Sequence, residues 1–516
     1  MSQPGGEPAG SDIAALAKGG RTNFFGFLLR LLARLPFLFV AGQLYGAAAV
    51  GRYASALIVV ELVALVCSIG EKRGLAQRLS EGDRDEDQAP LIADSILVAL
   101  VLSSLAAAIL YVFPAPLFPS GIYTEMDRWI VLAIPGYALT EIVLAAQAYK
   151  YDIATTVRAR AVVEPWTISI LAAAFFFWPL VSESGLSMAY VASIYAGLGA
   201  ALFPFFRTYG RPRYYRPEPR RILRMVWRAL PLAVADAIEW GTRRIDLFIL
   251  GLFAGPIAVG VYYMAQQVAS LPQKLKTSFE PILGPVITAK LKEKDYAAIA
   301  RQVCQVGFWI VAMQAGIALA LGIPGEALMG LFGTGGEFVP GTGALAFLLA
   351  AEVVAATAVV SEAALIYVAR LRNLWVSIGT IVLQILLTIG VMLLVDRIDF
   401  GSAEQADYYR AAGAAMALML ALAAASVVKA VMLSRILQQR INNWRWALVW
   451  ATAAAVLVGQ VAIMLPEWAE LAIGVPAIIG VYGWIIWTRG FGPEDRVLFR
   501  RKMSEESPDK TVDSEN

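Results

Sequence analysis

Apolar runs of about twenty residues recur from near the N-terminus to residue 488. Each is long enough to cross the hydrocarbon core of a bilayer as a helix, and nothing else constrains the fold as strongly. Hydropathy places fourteen spans at 22–44, 49–70, 90–114, 128–149, 161–182, 185–206, 229–251, 256–279, 302–323, 343–368, 373–395, 409–432, 446–465 and 469–488. In lipid a segment must satisfy its own backbone N–H and C=O groups, so each run is expected to be a helix. The expected fold class is all-α, a polytopic membrane protein of about fourteen transmembrane helices. Only 16% of the residues are charged, against about 25% in an average soluble domain.

The connecting segments alternate in charge. One set carries Lys72, Arg73, Arg78 and Arg84; then Lys150, Arg158 and Arg160; then the stretch RTYGRPRYYRPEPRRILRMVWR. It continues with Lys290, Lys292, Lys294, Arg370, Arg372, Arg435 and Arg440, and with Arg496, Arg500, Arg501 and Lys502 in the tail. The alternate set carries Glu183, Glu326, Glu337, Asp399, Glu404, Glu467 and Glu470. Basic loops stay in the cytoplasm, so both termini are expected there, as an even number of spans requires. The acidic loops are longest at 113–127, 324–342 and 396–408, too short for a folded domain. The N-terminal MSQPGGEPAGSDIAALAKGG has no apolar core before a cleavage site, so no signal peptide is expected. The polar SEESPDKTVDSEN tail is expected to be disordered.

A stretch from Arg34, RLPFLFVAGQLYGAAAVGRYASA, is rewritten 209 residues later, from Arg243, as RIDLFILGLFAGPIAVGVYYMA. The identities are Arg34/Arg243, Leu38/Leu247, Phe39/Phe248, Gly42/Gly251, Gly46/Gly255, Ala49/Ala258, Val50/Val259, Gly51/Gly260, Tyr53/Tyr262 and Ala56/Ala265. Close packing of helix hairpins through small residues is the plainer explanation of such a pattern. The shared arginine and the shared VGxY turn favour duplication. Six spans separate the copies, so both have the same orientation. That divides the chain into a six-helix half, residues 1–210; a second half with its preceding basic linker, 211–440; two additional helices, 441–490; and a cytoplasmic tail, 491–516. Parallel repeats about an axis along the membrane normal belong to transporters, whose substrate sits near mid-membrane between the halves.

These residues resemble the polysaccharide-transport branch of the multidrug/oligosaccharidyl-lipid/polysaccharide flippase superfamily, the Wzx-type flippases. The resemblance rests on LYGAAAVGRYASA after span 1, RRIDLFILGLFAGPIAVGVYYMA at span 7, PILGPVITAKLKEKDYAAIARQV before span 9 and the closing GPEDRVLFRR. It implies translocation of a polyprenyl-pyrophosphate-linked oligosaccharide from the cytoplasmic to the periplasmic leaflet of a bacterial inner membrane. The associated process would be lipopolysaccharide or other surface polysaccharide biosynthesis, with a downstream polysaccharide polymerase as a candidate partner.

Charge at bilayer depth is costly and marks functional candidates. Arg30 and Arg34 share one face of span 1, and Arg34 lies about 18 Å from the turn at Gly46; snorkelling to the interface is the plainer role for both. On span 7, Asp236, Glu239, Arg243 and Asp246 form one stripe, which on the plainer reading neutralises itself; Arg244 falls off it. The repeat superposes Arg34 on Arg243 and Arg30 on Glu239. If spans 1 and 7 both line the pathway, Arg34 and Arg243 would hold a pyrophosphate by charge-assisted hydrogen bonds, and Arg30 would pair with Glu239 when substrate is absent. Trp240 is deep enough to stack on sugar, though an interfacial or packing role suits it as well. Glu141, Glu352, Glu362 and Asp246 are candidates for coupling to a proton or sodium ion. Asp94 and Glu164, near the cytoplasmic ends of their spans, read as solvated. The arginine-rich segment between spans 6 and 7 reads as a topological determinant and linker, or as a landing surface for anionic headgroups.

The chain has no histidine, which excludes histidine metal sites and histidine acid–base catalysis. Cys67 and Cys304 lie in apolar segments near the expected cytoplasmic side, where packing is expected rather than a disulfide. There is no G-x-x-x-x-G-K-[ST] loop. No cofactor, resident metal or nucleic-acid partner is expected, and an ion gradient, the membrane potential or product consumption must supply the energy. An ion-coupled multidrug antiporter of the same fold is the rival transporter. A membrane glycan polymerase or ligase is the rival from another class, and short loops without histidine count against it.

Overall fold

A computed structural model describes residues 33–81, 88–210, 215–242, 244–276, 287, 290–291, 293–442 and 444–492. Among these the fold is all-helical, and every expected span has its helix. Ten helices are long and apolar enough to cross a membrane by length and composition alone, and the first of them, Ala33–Cys67, holds both span 1 and span 2. Span 7 is two helices, Pro219–Thr242 and Ile245–Phe253; span 8 is Pro256–Lys276 and span 13 is Trp446–Ala462.

Local chemistry sets the boundaries. Spans 1 and 2 are joined at Gly46, whose φ of +75° is open to glycine at little cost. Beyond Phe253 the backbone is extended at Ala254, and Pro256, whose missing N–H is harmless in a first turn, opens span 8. The free N–H groups at both turns are met by carboxylates from far along the chain. Ala47 N–H donates to Glu337 Oε2 at 3.0 Å, and Gly255 N–H donates to Asp407 Oδ2 at 2.9 Å.

In lipid, helices associate by close packing and hydrogen bonding rather than by escape from water. Spans 2 and 8 pack along each other, and Gly51 and Gly260 let their backbones touch. Span 6 packs on spans 4 and 5, and span 12 packs likewise on spans 10 and 11. Spans 13 and 14 are held on span 9: Gly316 makes room for the Tyr482 ring and Gly459 for Ile323. Arg445 lies over the Phe308 ring at 4.0 Å and donates to the Gly490 carbonyl at 2.6 Å.

The two ends of the bundle differ. At the end with acidic loops, Arg52 Nε donates to Asp127 Oδ2 at 3.0 Å and its Nη2 to the Glu183 carbonyl at 2.9 Å. Asp127 Oδ1 accepts from Ser187 at 3.1 Å, so the network ties span 2 to the entries of spans 4 and 6. At the basic end, Arg78 is not a loop residue. It lies on a short helix, Glu71–Glu81, pairs with buried Glu71 and donates to Ser95 Oγ at 2.8 Å. Asp94 is not solvated either: it is 1% exposed, and its charge is met by Arg221 in the first turn of span 7 and by Tyr215 just before it.

Candidate functional site

Spans 1, 2, 4, 5 and 6, with span 8, line a cavity of about 120 Å³. Span 2 contributes Tyr53, Leu57 and Glu61, four residues apart and so on one helical face. Span 1 contributes Arg34 and Phe37, span 4 Tyr137, span 5 Arg160, Glu164 and Ile168, span 6 Tyr190 and Ser193, and span 8 Tyr263. A larger hollow, about 420 Å³, lies open on the acidic end between Val395 and Arg410; there Arg410 pairs with Asp396 and with Asp407, and Asp399 accepts from the Gly401 N–H.

Arg160 is the centre of this site. It sits in a π-helical turn, Arg158–Val163, just before Pro165. Pro165 has no N–H to offer the preceding turn, which favours the wider winding. The guanidinium is 8% exposed. Its Nη1 donates to both Glu164 oxygens, at 2.8 and 3.0 Å, its Nη2 pairs with Glu141, and its plane lies 4.6 Å from the centre of the Tyr137 ring. Tyr53 makes edge contacts with Phe37, Tyr190 and Tyr263 at ring separations of 5.8, 5.9 and 6.1 Å, a rigid aromatic floor.

Arg244 occupies the break between the two helices of span 7. Its Nη1 donates to Gln266 Oε1 of span 8 at 3.3 Å, one helical turn from the cavity-lining Tyr263. Two arginines, Arg34 and Arg160, thus share one site with three acids, Glu61, Glu141 and Glu164, and Arg244 lies beside it. Guanidiniums grip phosphate oxygens bidentately, whereas carboxylates and tyrosine faces suit cations.

Of the residues singled out by sequence, Arg34 lines the cavity, Arg244 borders it, and Glu141 reaches it through Arg160. Arg30, Arg243 and the Glu239 side chain lie outside the described residues. Asp236 is buried on span 7, Trp240 packs against the apolar core beside it, and Glu352 is half-buried on span 10. Glu362 stands apart near the basic end, where Lys429 Nζ meets it at 2.9 Å and Asn373 donates to it at 3.3 Å. Asp246 is fully buried and accepts from the Tyr262 hydroxyl. Tyr262 corresponds in the repeat to Tyr53, and Asp246 to Phe37, so one contact is a hydrogen bond in one copy and an aromatic edge in the other.

Two further readings need correction. Arg160, assigned by charge pattern to a cytoplasmic loop, is buried; Glu164, expected to be solvated, is its partner. The four-residue spacing of Arg160 and Glu164 was the available signal. The cavity tyrosines had none, because an aromatic on an apolar span reads as packing.

Solved structures share the fold. A lipid II flippase MurJ in an inward closed conformation is 13% identical, with a TM-score of 0.66, over 94% of this chain and all of that one. An inward-facing multidrug resistance MATE family transporter of the MOP superfamily is 14% identical, with a TM-score of 0.64, over 80% of this chain and 95% of that one. An outward-facing structure of a MATE family transporter scores 0.53 at 14% identity, over 82% and 96% of the two chains. No match was found among curated protein sequences. The family described as polysaccharide biosynthesis protein matches residues 23–288, more than half of the 516 residues, and the chain belongs to that family.

Proposed function

We propose that this protein is a Wzx-type flippase that carries a polyprenyl-pyrophosphate-linked oligosaccharide from the cytoplasmic to the periplasmic leaflet of a bacterial inner membrane, for surface polysaccharide assembly. The observation that carries the reading is the cavity with Arg34 and Arg160 in its wall and Arg244 beside it, held by Gln266. Guanidiniums at bilayer depth are costly unless they serve an anion, and a diphosphate is the anionic group that every such substrate shares. The basic end faces the cytoplasm. Residues 1–210 and 211–440 act as two halves that rock against each other, the cavity belonging to the first half with Tyr263 of the second at its edge, and the pair of helices at 441–490 riding on the second.

Contacts near the acidic end support a carrier closed towards the periplasm. Gln43 Nε2 donates to the Leu331 carbonyl at 2.8 Å, the Phe39 and Phe332 rings lie 5.3 Å apart, and Glu337 caps the turn at Gly46. All three join span 1 or its turn to the 324–342 segment. A cavity of about 120 Å³ is well below the roughly 300–1,000 Å³ of a drug-sized site. It admits a headgroup fragment, and the halves must part further to pass a glycan.

The three acids favour one second reading, an ion-coupled antiporter of cationic compounds. Both are tested in proteoliposomes holding the purified protein and a short-sugar polyprenyl-pyrophosphate lipid, with leaflet exchange followed by a membrane-impermeant sugar-modifying reagent. Exchange above protein-free vesicles, weakened in Arg34→Gln and Arg244→Gln, is the expected result. No exchange under any ion gradient, together with proton-driven efflux of a cationic dye, would establish the antiporter instead.

A further inference from the structure

The first three turns of span 7 have two faces with different owners. Ile222, Met225 and Ala229 face inwards and pack on Ile69 and Val98 of the first six spans. The segment is also tied there electrostatically. Arg221 Nε donates to Asp94 Oδ2 at 2.6 Å and its Nη2 to Oδ1 at 3.1 Å, and Tyr215 donates to Oδ1 at 2.7 Å. Burial, then the Asp94 carboxylate, push the Tyr215 hydroxyl up to about 12, so it remains a donor.

The other face is unpartnered among the described residues. Arg220, Arg224 and Arg228 are exposed and four residues apart, one row on one face. Beside them runs an apolar row: Leu223, Trp227 (67% exposed) and Leu230. From Leu230 to Phe253 the chain climbs about 35 Å, against a hydrocarbon core of about 30 Å. The arginine row therefore stands at headgroup depth, with Trp227 at the interface where tryptophan is favoured. Between Arg207 and Arg228 the chain uses eight arginines, no lysine and one acid, Glu218. Arginine in place of lysine is the choice for planar, bidentate recognition of phosphate.

We infer that this face is a binding site for anionic phospholipid of the cytoplasmic leaflet, with the three arginines on the headgroup phosphates and Leu223 and Trp227 against the upper acyl chains. The inference takes only its orientation from the function proposed above. Its site lies apart from the cavity.

The test is native mass spectrometry of the full-length protein in detergent, titrated with phosphatidylglycerol or with phosphatidylcholine of the same chains. Wild type is expected to retain phosphatidylglycerol preferentially. The triple variant R220Q/R224Q/R228Q should lose that preference by about tenfold or more, since each interfacial arginine contributes on the order of fivefold. Its thermal transition in lipid-free detergent reports folding. The triple lysine variant keeps the charge and should fall between the two, which tests the site even if the glutamine variant misfolds. Equal retention of both lipids by wild type, or full retention of phosphatidylglycerol by a folded glutamine variant, overturns the inference. So does retention confined to an added polyprenyl pyrophosphate. Lipid binding is read without transport, so a failed flippase assay leaves this result standing.

Discussion

Gly51 of span 2 lies backbone to backbone against Gly260 of span 8. A Cβ on Gly51 would stand 1.7 Å from the Pro256 carbonyl oxygen and 2.9 Å from Gly260 N; one on Gly260 would stand 2.0 Å from the Ala47 carbonyl oxygen. Gly51 and Gly260 occupy equivalent positions of the 209-residue repeat, and so do Ala47 and Pro256. The contact therefore maps onto itself when the two copies are exchanged, the form an isologous two-fold contact takes between subunits, here within one chain. It explains why both glycines recur. Either Gly51→Ala or Gly260→Ala must push the two backbones apart, an overpacking cost of about 1–3 kcal/mol. Thermal unfolding should show the loss in each variant. The double variant should cost less than the sum, because both substitutions strain one contact. Full additivity would mean that the two glycines are not parts of one interface.

Arg160 should be indispensable to the fold of the first six spans. Arg160→Met leaves Glu141 and Glu164 facing each other in a nearly closed site, and breaking a buried ion pair costs about 3–5 kcal/mol. Adding Glu164→Gln and Glu141→Gln to Arg160→Met should recover most of that stability. Chemical denaturation in mild detergent separates the cases. An Arg160→Met protein as stable as wild type would show that water reaches the carboxylates freely.

The spans were legible, because bilayer thickness and helical rise leave little choice, although span 7 begins at Pro219 rather than near residue 229; the repeat made Gly51 and Gly260 equivalent, but their contact is seen only in the fold. The site was legible in part. Arg34 and Arg244 stand out as charges deep in apolar runs. Arg160 does not, since a run of three residues at 158–160 with two arginines at the edge of a span looks like any cytoplasmic loop. Its burial depends on Glu141, nineteen residues away on another helix, and no local pattern encodes that meeting. Asp94 was misjudged for the same reason, its partners lying 121 and 127 residues downstream.

The Lys429–Glu362 pair invites a second rescue experiment. Lys429 is 5% exposed, and its ammonium also donates to Ser377 Oγ at 3.3 Å. Lys429→Met strands the Glu362 carboxylate among spans 10, 11 and 12, while Lys429→Met with Glu362→Gln removes both charges. The single variant should unfold at a lower temperature than the double. If Glu362 instead takes up a coupling ion during transport, Glu362→Gln alone will abolish the gradient dependence of exchange without lowering the thermal transition, and the two assays together distinguish the roles.

Arg52 and Asp127 give the last prediction, at the end of the bundle closed towards the periplasm in the proposed orientation. Asp127 is 2% exposed and accepts from Arg52, Ser187 and the Thr124 N–H. The repeat places Val261 where the first copy has Arg52, and Val261 packs against Gly341 instead. The ion pair thus belongs to the first copy alone and holds span 2 to spans 4 and 6 within one half. Arg52→Leu should destabilise the protein by about 3 kcal/mol through the uncompensated Asp127 charge, and Arg52→Leu with Asp127→Asn by much less. Because the network does not cross to the second half, the double variant should exchange lipid-linked sugar at close to the wild-type rate in proteoliposomes. A folded double variant with strongly reduced exchange would instead make this network part of the moving gate.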